Sequence, residues 1–285
     1  MPVTPNPVVD KHLLAKELRQ LREDKKMTQQ QVADQLGWSR EKVGRIETAS
    51  SSVSAEDLRR LLAQYGVADK DSVHSLEERA ASAQRPGWNE YKGLLPARYL
   101  TYLGFEEIAT TMQQYHLSLI PGLLQTRPYM REVLTQVSEI SPRDVRRLIE
   151  ARTRRQELLT AERRPKFKII IDEAVLYRPV GDNRSWREQL KHLQEINHLD
   201  GVTLMILPFS AGPHPGLKGA FNLLTFEDAP YDDLLYIENS EGDRIDRDDD
   251  DVRAEYLQIF EELESKSLAG RKFDDLVAKA ADSFT

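Results

Sequence analysis

The stretch from Thr28 to Glu47, T-Q-Q-Q-V-A-D-Q-L-G-W-S-R-E-K-V-G-R-I-E, restricts the fold more than any other part of this chain. Val32, Ala33 and Leu36 repeat at helical spacing, and so do Val43 and Ile46. Thr28 and Gln31 form the T-x-x-Q pattern of a capping box, and Ser39 suits the N-cap of a second helix. Gly37 sits between them, where a sharp turn needs a positive φ. Two short helices at a tight turn follow, the second presenting Arg40, Glu41, Lys42 and Arg45. That is how a helix-turn-helix offers its recognition helix to the major groove of DNA.

Charge divides unevenly along the chain. The net charge is −7 over 285 residues, which does not suit a DNA binder taken whole. Residues 1–66 hold 11 Lys/Arg against 9 Asp/Glu, a net of +2, whereas the remainder holds 29 against 38, a net of −9. One face of a nearly neutral module is therefore expected to meet DNA, with affinity set by where the cations stand. The absence of cysteine excludes disulfides, thiolate zinc sites and cysteine nucleophiles. No apolar run is long enough for a membrane span, and the N-terminus lacks the regions of a signal peptide, so a cytoplasmic protein is expected. The first residues, M-P-V-T-P-N-P-V-V, read as a Pro-rich disordered arm.

The pattern predicts an all-α module over 1–70, a helical linker over 71–98 and an α+β domain over 99–285. Leu13, Leu14, Leu18 and Leu21 line a helix over 10–25, and Leu58, Leu61, Leu62 and Tyr65 line another that opens at Ser54 and ends at Gly66. Arg85-Pro86-Gly87 breaks the polar run at 69–85. Helices are expected near 97–111 and from Ser141-Pro142 to Leu159, the latter rich in arginine, with an extended segment over 112–120. Strands are expected at 166–171, 202–207, 220–226 and 234–238, giving a roughly four-stranded mixed sheet with flanking helices. The first two strands should be a right-handed parallel pair, the last two a hairpin around Ala229–Asp232. Further helices are expected over 183–199, 250–263 and 271–281.

The first seventy residues resemble the Cro/repressor type of helix-turn-helix, the Xre class of transcriptional regulators. In that class the Gln opening the motif binds phosphate and braces the next helix, and Gln29 matches it. The first exposed positions of the second helix reach base edges, which implies Arg40 and Glu41, with Arg45 one turn later. Arg can donate twice to guanine and Glu can accept from cytosine, so a G/C-bearing half-site is implied. Lys42 is expected on phosphate. Thr28 and Ser39 complete the candidate DNA contacts. Trp38 could stack on the sugar-phosphate backbone or cover the turn. The resemblance also implies a structural ion pair between Arg22 and Glu47. Where the class often has Asn-Gly after that Glu, this chain has Thr48-Ala49 and three serines.

Residues 99–268 resemble the domain attached to such modules in actinobacterial regulators, the WhiJ-like and Scr1-type antitoxin-like proteins. The shared phrases are I-P-G-L-L-Q-T at 120–126, A-R-T-R-R-Q-E-L-L at 151–159, I-D-E-A-V-L-Y-R-P-V-G at 171–181, R-E-Q-L-K-H-L at 187–193, L-P-F-S-A-G-P-H-P-G at 207–216 and Y-I-E-N at 236–239. One departure is Gly104-Phe105. The resemblance implies a small partner protein, and because one small module gives limited specificity a homodimer that reads two half-sites is expected. Glu173, Arg178, His214 and Glu238 are the candidate partner or ligand site. A His with carboxylates could also do acid–base chemistry, but no nucleophile elbow, phosphate loop or metal spacing accompanies them. The expectation is no enzyme, no metal and no cofactor. His214 then reads as a loop histidine, Asp172-Glu173 with Arg178 as a loop-ordering ion pair, and Asp246–Asp251 as a solvated loop whose last acids cap a helix. The rivals are an antitoxin-like module that autoregulates its gene and an enzyme joined to a DNA address.

Overall fold

The computed structural model describes residues 6–137, 141–227, 232–237, 244–246 and 249–284. The chain divides into two compact units, Met1–Phe105 and Glu106–Thr285.

The first unit is helical: α1 (Pro7–Asp24), α2 (Gln29–Leu36), α3 (Arg40–Glu47), α4 (Ala55–Tyr65), α5 (Lys70–Ser82) and α6 (Ala97–Glu106), which ends at the boundary. Its core gathers Leu14 and Leu18 of α1, Val32 and Ala33 of α2, Val43 and Ile46 of α3, and Leu58, Leu61, Leu62 and Tyr65 of α4. Leu76 and Ala80 of α5 belong to the same core. The unit thus runs past residue 70, and α5 packs against α1 where a linker was expected. The start of α1 also corrects the expected disordered arm. Asn6 caps the helix by accepting from the N–H groups of Val8 and Val9 at 3.1 and 3.2 Å, Pro7 occupies the first turn, and Val8 and Val9 are buried. Residues 1–5 lie outside the described residues. Gly104 lets this end of α1 approach α6, because a Cβ there would stand 2.4 Å from Cβ of Val8.

Each turn of the motif closes by local chemistry. Gly37 has φ +66°, and its N–H and that of Trp38 donate back to Asp34 and Ala33 at 3.4 and 2.8 Å. The same closure follows α1, but there the left-handed residue is Lys26, φ +54°, with the N–H groups of Lys26 and Met27 donating to Glu23 and Arg22 at 2.7 and 3.2 Å. Lys26 is exposed, so its side chain holds little that glycine would lose. Lys26→Gly is expected to raise stability by about 0.5–1 kcal/mol, seen as a higher urea midpoint at unchanged m-value.

The second unit is built on a sheet that, among the described residues, has seven strands: β1 (Thr111–His116), β2 (Lys166–Asp172), β3 (Val202–Leu207), β4 (Phe221–Thr225), β5 (Leu234–Ile237), β6 (Arg244–Asp246) and β7 (Leu268–Ala269). Their order is β6-β5-β4-β1-β2-β3-β7. β1, β2 and β3 run parallel, and the remaining neighbours are antiparallel. The crossover from β1 to β2 contains α7 (Arg127–Val137) and α8 (Pro142–Gln156). That from β2 to β3 contains the single turn α9 (Glu173–Leu176) and α10 (Asn183–Asn197). Beyond the sheet's last long strand come α11 (Asp250–Lys266) and α12 (Arg271–Asp282). The expected parallel pair β2–β3 and the antiparallel β4–β5 are present, but the turn at Ala229–Asp232 lies outside the described residues except for Asp232.

The expected four strands become seven for two reasons. β1 is a central strand disguised by polarity, since Gln113 and Gln114 are buried in it. β6 and β7 have three and two residues and exist through pairing, with no periodicity of their own. The arginine-rich helix also proves partly inward. Arg155 is buried with Glu106 in a two-pronged ion pair, its Nε and Nη2 donating at 2.7 and 2.5 Å, and Arg152 donates to Gln125 at 2.7 Å.

Candidate functional site

The motif of the first unit is held from behind by one charged cluster. Arg22 of α1 and Glu47 of α3 meet side by side, Nε–Oε1 2.7 Å and Nη2–Oε2 3.0 Å, and both are buried. Arg22 also donates to the Met27 carbonyl at 2.7 Å, closing the loop before α2. Gln29 of α2 donates to Glu47 Oε2 at 2.9 Å, and its amide lies over Gly44, 3.6 Å from where a Cβ would stand. Glu47 therefore fastens α1 and α2 to α3. The bond to Glu47 keeps the Arg22 guanidinium above its ordinary pKa, and burial followed by the Glu47 charge pushes the Tyr65 phenol up.

The outer face of α3 is set by its caps. Thr28 and Gln31 complete the capping box that fixes α2, with bonds of 2.8 and 3.2 Å. Ser39 Oγ accepts from the Lys42 N–H at 3.2 Å. The Glu41 carboxylate turns back to its own N–H and the Ser39 hydroxyl, which hold it below the usual carboxylate range. Arg40, Glu41 and Arg45 are exposed, and among the described residues neither guanidinium has an ion-pair partner. Lys42 differs. Its ammonium pairs with Asp57 of α4 at 2.8 Å and lies 3.8 Å from the centre of the Trp38 ring. Arg60 approaches the same indole at 5.3 Å and donates to the Leu36 carbonyl at 2.5 Å. Trp38 packs against the core and covers the turn, tied there by two cations. Asp57 and Arg60 were legible from sequence only as helix charges, because nothing local places them over the turn.

The candidate residues of the second unit separate. Glu173 opens α9 and accepts the Phe209 N–H at 2.7 Å, ordering the loop after β3. Arg178 is exposed and, among the described residues, has no ion pair, so the expected bond to Glu173 is replaced by one to backbone. Glu238 lies outside the described residues. His214 meets Asp172, the last residue of β2, with Nε2–Oδ2 3.8 Å, and its ring stands edge-on to Tyr115 of β1 at 6.1 Å. Asp172 Oδ1 meanwhile caps α9 through the Ala174 N–H at 2.9 Å. Burial, then the Asp172 charge, pushes the Tyr115 phenol up. The cluster sits at the carboxyl ends of parallel strands, the customary place for ligands in open sheets. The His214 side chain is only 4% exposed. Gly216 closes it in: a Cβ there would meet Tyr115 Cε1 at 2.7 Å. The acids at 249–251 behave as a helix start, Asp249 accepting the Val252 N–H at 3.1 Å, while 247–248 lie outside the described residues. Among the described residues no group of three His, Asp or Glu could hold a metal.

At the end of β1, His116 lies beside Asn222 and feels the Arg155 charge. Burial, then that charge, brings its pKa from 6.5 down to about 4. The folded state refuses a proton that the unfolded chain accepts below about pH 6.5. Stability is therefore complete above that pH and falls, by roughly 1–3 kcal/mol, as pH drops to 4. His116→Gln is expected to flatten this part of a denaturant-midpoint profile against pH.

No helix among the described residues is long and apolar enough to cross a membrane. Comparison with curated proteins and with solved structures gives no match. Residues 13–76, which hold the capped helices and the Arg22–Glu47 brace, match the family described as a helix-turn-helix domain. Residues 99–276, more than half of the chain and nearly the whole sheet unit, match the family described as a domain of unknown function, DUF5753, and the chain belongs to that family.

Proposed function

We propose that this protein is a sequence-specific DNA-binding transcriptional regulator of the Xre type, with α3 as its recognition helix. The observation that supports this reading best is the outer face of α3. Arg40 and Arg45 stand exposed and without an ion-pair partner among the described residues, on a helix whose inner face is locked by Val43, Ile46 and Glu47. A rigid helix with unengaged guanidiniums is suited to paired bonds with guanine edges. Glu41 reads as an adjuster of the helix start as much as a base contact. Gln29 braces, and Lys42 orders Trp38 before it meets any phosphate. Two copies on half-sites about 34 Å apart would supply the specificity that one small module lacks.

The second unit is proposed as the receiver of a signal, either a small ligand or a small partner protein, as in the WhiJ-like and antitoxin-like proteins it resembles. The enclosed His214–Asp172–Tyr115 cluster favours a structural role over catalysis. The test is a fluorescence-anisotropy titration of the full chain on a selected duplex and on its single-base variants. Arg40→Ala is expected to weaken the selected site by about 1–3 kcal/mol and to lose preference at one base pair. An equal loss on every sequence would assign Arg40 to the phosphate backbone and contradict the reading.

A further inference from the structure

A cleft of about 370 Å³ opens in the second unit between the sheet at β1 and β4 and the first turns of α11. The feature that marks it is Arg253. This side chain lines the cleft and is only 10% exposed, and its Nη1 is buried without a hydrogen-bond partner among the described residues. Its Nη2 is already engaged by Asp250. A buried donor on a charged group left unsatisfied is expensive, so the free arm needs an acceptor. Asp232, Asp233 and Asp250 line the same cleft, and all three are exposed. Asp232 and Asp233 are both partly occupied, Asp233 by accepting the Phe226 N–H at 3.2 Å. The half-exposed Leu257 and the buried β4 leucines add apolar surface, and the largely buried Gln113 of β1 adds an amide to the lining.

These groups select a ligand class by charge. The acceptor that reaches Nη1 arrives beside Asp250, which holds the neighbouring nitrogen of the same guanidinium. A simple anion there would be repelled by Asp250 and by the acids at the opening. A simple cation would leave Nη1 unsatisfied. Both demands are met by a compact molecule with a carboxylate next to an ammonium. The leucine-lined wall adds a preference for an apolar side chain, and the volume is in the range of ordinary small-molecule sites.

We infer that this cleft binds a zwitterionic ligand of the α-amino acid or short-peptide class, with its carboxylate on Arg253 and its ammonium beside the exposed Asp250. This deepens the reading above by naming what the second unit receives. The test is isothermal titration calorimetry of the full chain without DNA, so a failed DNA assay and a failed ligand assay remain separate results. The probes are L-leucine, L-leucyl-L-leucine, N-acetyl-L-leucine and L-leucinamide. The first two distinguish a free amino acid from a peptide, and the last two block the ammonium and the carboxylate in turn. The expected result is one-site binding of at least one zwitterion, with each blocked form of leucine at least about tenfold weaker than the leucine or dileucine that binds. Arg253→Met, checked for its fold by near-ultraviolet circular dichroism, is expected to remove binding, and Asp250→Asn to weaken it. If Arg253→Met does not fold, the blocked probes on the unaltered chain decide the matter. Absence of binding by both zwitterions at millimolar concentration would overturn the inference. So would equal binding of the blocked forms, or unchanged binding by folded Arg253→Met.

Discussion

Glu47→Ala is expected to lower the stability of the first unit by about 3–5 kcal/mol, among the largest losses available to a single substitution in it. The size follows from what is left behind. Arg22 remains buried, with only Glu23 at 3.2 Å and the Met27 carbonyl at 2.7 Å to receive its protons. Gln29 also loses its acceptor, so α2 and α3 come apart at the point where the turn must be rigid. DNA binding should fall with the fold, although Glu47 is buried and faces away from the exposed side of α3. The measurement is urea unfolding followed by far-ultraviolet circular dichroism. The control is the double change Arg22→Met with Glu47→Leu, which replaces the pair by apolar groups of similar reach. It should recover most of the loss, because the penalty lies in an uncompensated charge more than in the missing attraction. A loss below about 1 kcal/mol in the single variant would mean that the pair is solvated and does not brace the motif.

Arg155→Met is the corresponding break in the second unit, with an expected loss also near 3–5 kcal/mol. Glu106 is 1% exposed and takes both of its close bonds from Arg155, so removing the guanidinium strands a carboxylate in the interior. One effect should separate this variant from an ordinary core mutation. The acid side of the His116 profile should shift, because the Arg155 charge helps keep that imidazole neutral. Unfolding midpoints of Arg155→Met between pH 4 and pH 8 check it. A variant as stable as the parent at neutral pH would show that Glu106 reaches water.

What the sequence disclosed was mostly local chemistry. Thr28, Gly37 and Ser39 act within three or four residues of themselves, and their caps and turn could be read directly. The leucines of α4 and the apolar runs of β2 and β3 obey simple periods and were equally plain. Long-range pairing was not. Arg155 and Glu106 are 49 residues apart, and Arg155 looked like one more surface arginine in a basic helix. β1 was legible as an extended segment but not as a central strand, because the sheet buries its two glutamines. The start of α1 hid behind prolines that one asparagine converts into a helix beginning. In the candidate interface the exposed arginines of α3 were visible in advance. The commitment of Lys42 to Asp57 was not, because α4 brings Asp57 there from beyond a loop. The cleft at Arg253 gave no sequence signal, since its residues come from two strands, a loop and a helix.

The most direct measurement of the proposed DNA reading is selection of duplexes from a random library by the full chain, run in parallel with Arg40→Ala and Arg45→Ala. The expected result is enrichment of a near-palindromic site with fixed G/C positions. Each substitution should relax a different one of those positions while the rest of the site is retained. Enrichment of nothing above the input, or of the same site with the same preferences by both variants, would contradict recognition through α3.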